Sequence, residues 1–240
     1  RDAKGNLQQL FTDPVQSDSR SVQYGLIWDN TDDFGDPRKG LRIGLSRSSA
    51  LLQANGTVDD YVLELTANAY FPMGKQSTWV FDYFRSQAVV VSQGETDRTL
   101  IGNTYCGVFA GDQTSYDACM VSSENLINNE QAANRYGTTS SLGGRDRMRA
   151  YPDGRFQGAQ TAYFGSEFRW NLTEEVTPFD YFIWKDVRTG LQVAFFAETG
   201  TVAETEGQLW ERSRSDAGVG FRMVTASGGV YRADIANGDE

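Results

Sequence analysis

The 240-residue chain contains no histidine, so the side chain that most often moves protons at neutral pH is absent. Its two cysteines, Cys106 and Cys119, bracket the polar stretch GVFAGDQTSYDA. A nucleophilic cysteine needs an activating base, and without histidine that role is disfavoured. Two readings remain, a disulfide or two free thiols. A short polar spacer in an oxidising location favours the disulfide, with a contribution of ~3 kcal/mol in the loop-entropy model. The acidic run Asp29-Asn30-Thr31-Asp32-Asp33-Phe34-Gly35-Asp36 offers oxygen ligands and a glycine. It lacks the terminal bidentate glutamate of a calcium loop and joins no pair of helices, so an acidic turn is the better reading. Asn55-Gly56-Thr57 and Asn171-Leu172-Thr173 match a glycosylation triplet, a pattern short enough to arise by chance. No phosphate-cradling glycine loop, metal-ligand cluster or Ser/His/Asp set occurs in the sequence. Bond-making chemistry and a cofactor are therefore not expected, and what remains is charge pairing.

The elements that would position such charges are strands. Mean hydropathy is −0.49, and no 18 apolar residues run together, so no membrane helix is expected. A barrel strand shows only alternate residues to lipid, and low mean hydropathy is compatible with one. The formal net charge of −10 argues against nucleic acid as a partner. The length suits one domain. The start at Arg1, with no signal peptide, is expected of a processed or partial chain.

Period-two alternation is clear in three places. Tyr61, Leu63, Leu65, Ala67, Ala69 and Phe71 oppose Val62, Glu64, Thr66, Asn68 and Tyr70. Ala162, Phe164, Phe168, Trp170 and Leu172 oppose Thr161, Tyr163, Glu167, Arg169 and Asn171. Leu191, Val193, Phe195 and Ala197 oppose Gln192, Ala194, Phe196 and Glu198. Weaker alternation at 20–29, 40–48, 76–92, 214–225 and 229–236 brings the count to about eight strands, near the roughly 9–11 residues that a tilted strand needs to cross hydrocarbon. Helical periodicity is unconvincing, and 122–135 forms at most a short helix within a loop. Short links (30–39, 72–75, 226–228) alternate with longer ones (51–58, 199–212, and about 93–157), as periplasmic turns alternate with extracellular loops. A soluble β-sandwich also alternates, but it seldom concentrates aromatics near strand ends.

The segment before the strand at 160 reads Arg147-Met148-Arg149-Ala150-Tyr151-Pro152-Asp153-Gly154-Arg155-Phe156. From Arg149 on, it resembles the lid motif of the BamA/TamA superfamily (the bacterial surface antigen family), which in shorter members reads Arg-Gly-Tyr-Pro-x-Gly-Arg-Phe. Alanine here replaces the family glycine, and a site requiring positive φ would resist it. Three more segments resemble the family in order. They are Tyr24–Asp33 with Pro37-Arg38-Lys39-Gly40, then Phe195–Val202, then Gly218–Arg222 with Gly228-Gly229 and Arg232–Asp234. The likeness spans roughly 20–238.

The resemblance implies an all-β, antiparallel transmembrane β-barrel, with about eight strands present of an expected sixteen. Residues 1–19 would be a strand or loop remnant, and 20–240 the barrel region with its lid loop 93–157. One more strand is expected beyond Asp239-Glu240, so both sheet edges are expected to be open. The resemblance further implies that the lid folds into the lumen and that its arginine meets wall carboxylates. Glu167 and Glu198 fall on the polar register of their strands, so Arg149 is expected to pair with one or both. It implies a non-enzymatic assembly or translocation role in a bacterial-type outer membrane. The expected partners are outer-membrane lipids, an unfolded outer-membrane protein or secreted substrate, and periplasmic or lipoprotein components. The alternatives are a passive pore or structural barrel, or the membrane domain of an enzyme whose catalytic part lies upstream.

Overall fold

The computed structural model describes residues 21–50, 57–173, 179–182, 184–187, 189–225 and 229–239. The expectation for residues 1–19 lies outside that set. Eight strands form one antiparallel sheet: β1 (Ser21–Asp29), β2 (Gly40–Ala50), β3 (Asp59–Pro72), β4 (Ser77–Ser92), β5 (Gln160–Asn171), β8 (Thr189–Ala203), β9 (Ser213–Thr225) and β10 (Val230–Gly238). Each pairs with its neighbour in that order, and among the described residues β1 and β10 are edges. Two short strands, β6 (Phe179–Tyr181) and β7 (Trp184–Val187), make a hairpin in the β5–β8 connection. The sequence pattern does not single it out, because strands so brief carry almost no periodicity.

Alternation sorts the strands onto two faces. On β5 and β8, Tyr163, Glu167, Asn171, Gln192, Ala194, Phe196 and Glu198 are buried on the concave face, whereas Phe164, Trp170 and Phe195 are exposed. The convex face carries an aromatic patch across β3, β4 and β5, in which Phe71 meets Phe81 edge-on at 5.9 Å. Trp79 stacks on Phe81 at 5.5 Å and meets Phe168 edge-on, and Phe81 stacks on Phe164 at 6.2 Å. Trp79 Nε1 also donates to Ser166 Oγ at 2.8 Å. Aromatic side chains with one polar tip on a sheet face otherwise exposed suit a lipid boundary.

The connection between β4 and β5 is not a plain loop. It begins with α1 (Arg98–Cys106), α2 (Gln113–Ser122) and α3 (Glu124–Tyr136). Only α3 corresponds to the short helix expected at 122–135. α1 and α2 escape a periodicity search because they bury few side chains and so need no apolar stripe. Their order comes instead from caps and a cross-link. Asp97 accepts from the Thr99 and Leu100 amides, Asp112 accepts from the Thr114 amide, and Cys106 and Cys119 form a disulfide. After α3 the chain runs into the concavity, where Leu142 bridges to Phe156. There Leu142 and Met148 pack on Phe84 and Tyr163 of the wall, flanked by Tyr151, Phe156 and Val202. The core therefore lies between lid and wall.

The turn 30–39 is built around aspartates whose carboxylates cap backbone amides. Asp32 Oδ1 accepts from the Arg38 and Lys39 amides at 2.9 and 3.0 Å, and Asp33 Oδ1 from those of Gly35 and Asp36 at 2.8 Å each. Gly40 closes the turn at φ +116°, where a Cβ would strike the Asn30 carbonyl oxygen at 2.2 Å. Desolvation raises the Asp32 carboxyl, but the amides of Arg38 and Lys39 outweigh it and hold the group below its ordinary value of 3.8. A carboxylate with a depressed folded pKa stabilises the fold above the unfolded value, and that contribution is lost as pH falls through the folded one.

Two outcomes follow. Thermal unfolding of Asp32→Asn should show a smaller loss of stability than the parent between pH 5 and roughly pH 2, as linkage requires. Reduction of Cys106–Cys119 should expose residues 107–118 to protease, with a local cost of about 3 kcal/mol, while the gel mobility of the folded sheet is retained.

Candidate functional site: a lid arginine held by the inner wall

Arg149 reaches the wall because Met148, one residue earlier, adopts φ +57° and is completely buried. That left-handed residue turns the chain so that the next side chain points at β5 and β8. Ala150 is not among the residues with positive φ. Alanine is thus accommodated there without backbone strain, and the turn takes its special conformations at Met148 and at Gly154, φ +68°.

The guanidinium sits among carboxylates from three strands. Arg149 Nη1 lies 2.9 Å from Glu167 Oε2 on β5, and Nε lies 2.8 Å from Glu198 Oε1 on β8. Asp234 Oδ2 on β10 is 3.6 Å from Nη1. The guanidinium carbon stands 3.4 Å from the centre of the Phe196 ring. Side-chain exposures of 7% for Arg149, 4% for Glu167 and 1% for Glu198 keep water from screening these pairs. A planar fork fits this arrangement, since two donors address two strands while the flat face lies on an aromatic ring.

Both glutamates are otherwise satisfied, whereas Asp234 Oδ1 is buried without a hydrogen-bond partner. Glu198 also accepts from the Arg149 amide at 2.8 Å and from the Tyr163 hydroxyl at 2.9 Å. Glu167 Oε1 meets Arg169 Nε at 2.7 Å and Arg222 Nη2 at 2.6 Å. Three guanidiniums therefore surround one carboxylate, which offsets the cost of burying the charge. Beside them the Ala150 amide donates to Asp216 Oδ2 at 2.9 Å. On β8 the residues Phe196, Glu198 and Gly200, spaced by two, all face the lid. A Cβ on Gly200 would come within 2.6 Å of Leu142 and 3.1 Å of Met148.

The rest of the lid motif divides. Tyr151 donates to the Ser215 carbonyl at 3.2 Å and to that of Asp239 at 2.5 Å, and it packs edge-on against Phe156 at 4.9 Å. Pro152 and Arg155 are exposed and stand outside the charge cluster. Earlier in the lid, Arg147 lies over Phe84 at 3.6 Å, and the Thr138 amide donates to Asp60 on β3 at 3.3 Å. The lid thus spans the concavity from β3 to β10.

The structure brings Arg149, Glu167 and Glu198 together. Sequence reasoning had not singled out Arg169, Arg222, Asp216, Asp234, Tyr163 or Phe196 as partners. Arg169 was within reach, two residues from Glu167 in the same register. Arg222 was not, because its place depends on the β8–β9 register that sets it opposite Gln192.

A family model described as the Omp85 superfamily domain matches residues 4–238. No curated protein matches the sequence. Among solved structures, the crystal structure of BamA from Haemophilus ducreyi lacking POTRA domains 1–3 is similar, with a TM-score of 0.55 at 11% identity. The match covers 92% of this chain and 39% of that one, so this chain spans about two fifths of its length. At that identity the likeness is one of fold.

Replacing Arg149 by Ala leaves the buried Glu198 carboxylate without a cation and removes one of the three around Glu167, and should cost about 3–5 kcal/mol in unfolding measurements. Arg149→Lys should recover only a minor part, because a point charge cannot address Glu167 and Glu198 while covering Phe196.

Proposed function

The chain belongs to the Omp85 superfamily, and on that premise we propose that it is the membrane-embedded part of an outer-membrane assembly or translocation machine. The observation that carries this reading is the lid arginine fixed to the inner wall through Glu167 and Glu198. A passive pore has no need to hold a buried segment across its lumen with desolvated charge pairs. An assembly barrel does need its lumen wall held in shape while an edge of its sheet works. The sheet with two edges among the described residues agrees with this division of labour.

The work assigned to Arg149, Glu167 and Glu198 is positional. No proton or group is transferred by them, and the proposed role is non-enzymatic. The convex face, with Leu26, Phe71, Trp79, Phe164, Trp170, Phe195 and Phe221 exposed, would meet outer-membrane lipids. The substrate would be an unfolded outer-membrane protein or a secreted polypeptide, delivered with help from periplasmic or lipoprotein partners. Residues 20–240 would form the barrel region, and 93–157 its lid loop.

Reconstituting the full-length protein into vesicles of outer-membrane lipid tests the proposal. Wild type should accelerate folding of an added, urea-denatured outer-membrane protein over empty vesicles, and Arg149→Ala should lose most of that acceleration. Ion conductance with no acceleration by the wild type would favour a passive pore instead.

A further inference from the structure

The acidic turn between β1 and β2 does more than reverse the chain. It reaches across the concavity to the strands that also hold the lid. Asp36 Oδ2 accepts from the Gln192 side-chain amide on β8, and Asp36 Oδ1 lies 3.8 Å from Arg169 Nη1 on β5. Arg38 follows. The Asn171 side-chain amide, with its oxygen turned toward Arg38, accepts from both terminal nitrogens at 3.1 Å. Asn171 and Gln192 are cross-strand partners, so β1–β2 is tied to one spot on the wall several strands away. The contact is enclosed: the Asp36 side chain is 11% exposed, Pro37 is buried, and Asn171 and Gln192 are 4% and 2% exposed.

The turn is also stiff enough to act over that distance. Besides the caps from Asp32 and Asp33, Arg42 Nε meets Asp29 Oδ2 at 2.7 Å and Arg42 Nη2 donates to the Phe34 carbonyl at 3.3 Å, with the guanidinium over the Phe34 ring. Asp36 is thereby presented inward, while Phe34 faces out at 83% exposure. A loop organised only by solvent would place its charges outward, not against buried amides of remote strands.

We propose that residues 30–39 are a second strap, which closes the turn-side mouth of the lumen, with Asp36 as its positioning residue. The lid holds the concavity across its middle, and the strap holds it at the end where β1, β3, β5 and β9 finish. The two are joined through Arg169, which bonds Glu167 beneath the lid and lies within ion-pair distance of Asp36 in the strap. Movement of either therefore perturbs the other. The inference rests on the barrel-type sheet and not on what the barrel transports.

The test uses full-length protein in outer membranes. Asp36→Cys with Gln192→Cys should join under a short thiol-specific cross-linker, whereas Phe34→Cys with Gln192→Cys should not. In planar bilayers Asp36→Ala should raise single-channel conductance several-fold with the heat-shifted gel band retained, and Asp36→Glu should bring conductance back toward wild type. If Asp36→Ala does not assemble, the isosteric Asp36→Asn takes its place. Absence of the Asp36–Gln192 cross-link would overturn the closure, and unchanged conductance in the Asp36 variant would overturn the gating role. Either failure would leave polypeptide-folding activity in vesicles unaltered, and so separates this inference from the proposed assembly role.

Discussion

A buried carboxylate has to be neutralised, and Glu167 is neutralised by three guanidiniums drawn from a lid and two strands. Arg149, Arg169 and Arg222 converge on it, and two of them are also paired elsewhere, Arg149 with Glu198 and Arg169 with Asp36. The concave wall could not keep this acid unpaired, since a lone buried charge there would cost several kcal/mol. The path of the lid, the inward turn of 30–39 and the positive φ of Met148 are consequences of satisfying that one centre and its neighbour Glu198.

This arrangement replaces the usual core of a folded domain. The sheet's convex face is apolar and exposed, as lipid contact requires, so little hydrophobic driving force remains to define what lies inside. Four buried side chains, Phe84, Leu142, Met148 and Tyr163, make up the apolar cluster between lid and wall. Specificity then falls to directional contacts: a planar guanidinium on Phe196, a backbone amide on each of Glu198 and Asp216, and Tyr151 against the carbonyls of Ser215 and Asp239. Such contacts tolerate no slip in register, because a shift of one residue would turn Glu167 and Glu198 toward lipid.

That same period of two explains what the sequence could and could not disclose. Eight strands and the inward face of Glu167 and Glu198 are legible, because alternation is local and each strand carries its own pattern. The lid contact was accessible only with the likeness of Arg149–Phe156 to a known motif. Arg222 and Asp216 were hidden, because which residue stands opposite another depends on inter-strand register, and that is written in no single segment. The helices α1 and α2 were hidden for another reason: caps and a disulfide, not an apolar stripe, hold them. The aspartates of 30–39 read as an acidic turn, which they form, but their reach to Gln192 spans a distance that no local pattern encodes.

The central claim is that lid and wall are coupled through the Arg149–Glu198 contact, not merely adjacent. A double-mutant cycle on thermal unfolding, with Arg149→Ala, Glu198→Gln and the pair, measures that coupling free of either residue's separate effects. The account predicts that the double variant is less destabilised than the sum of the singles, with a coupling of about 1–3 kcal/mol. Simple additivity of the two losses would contradict it.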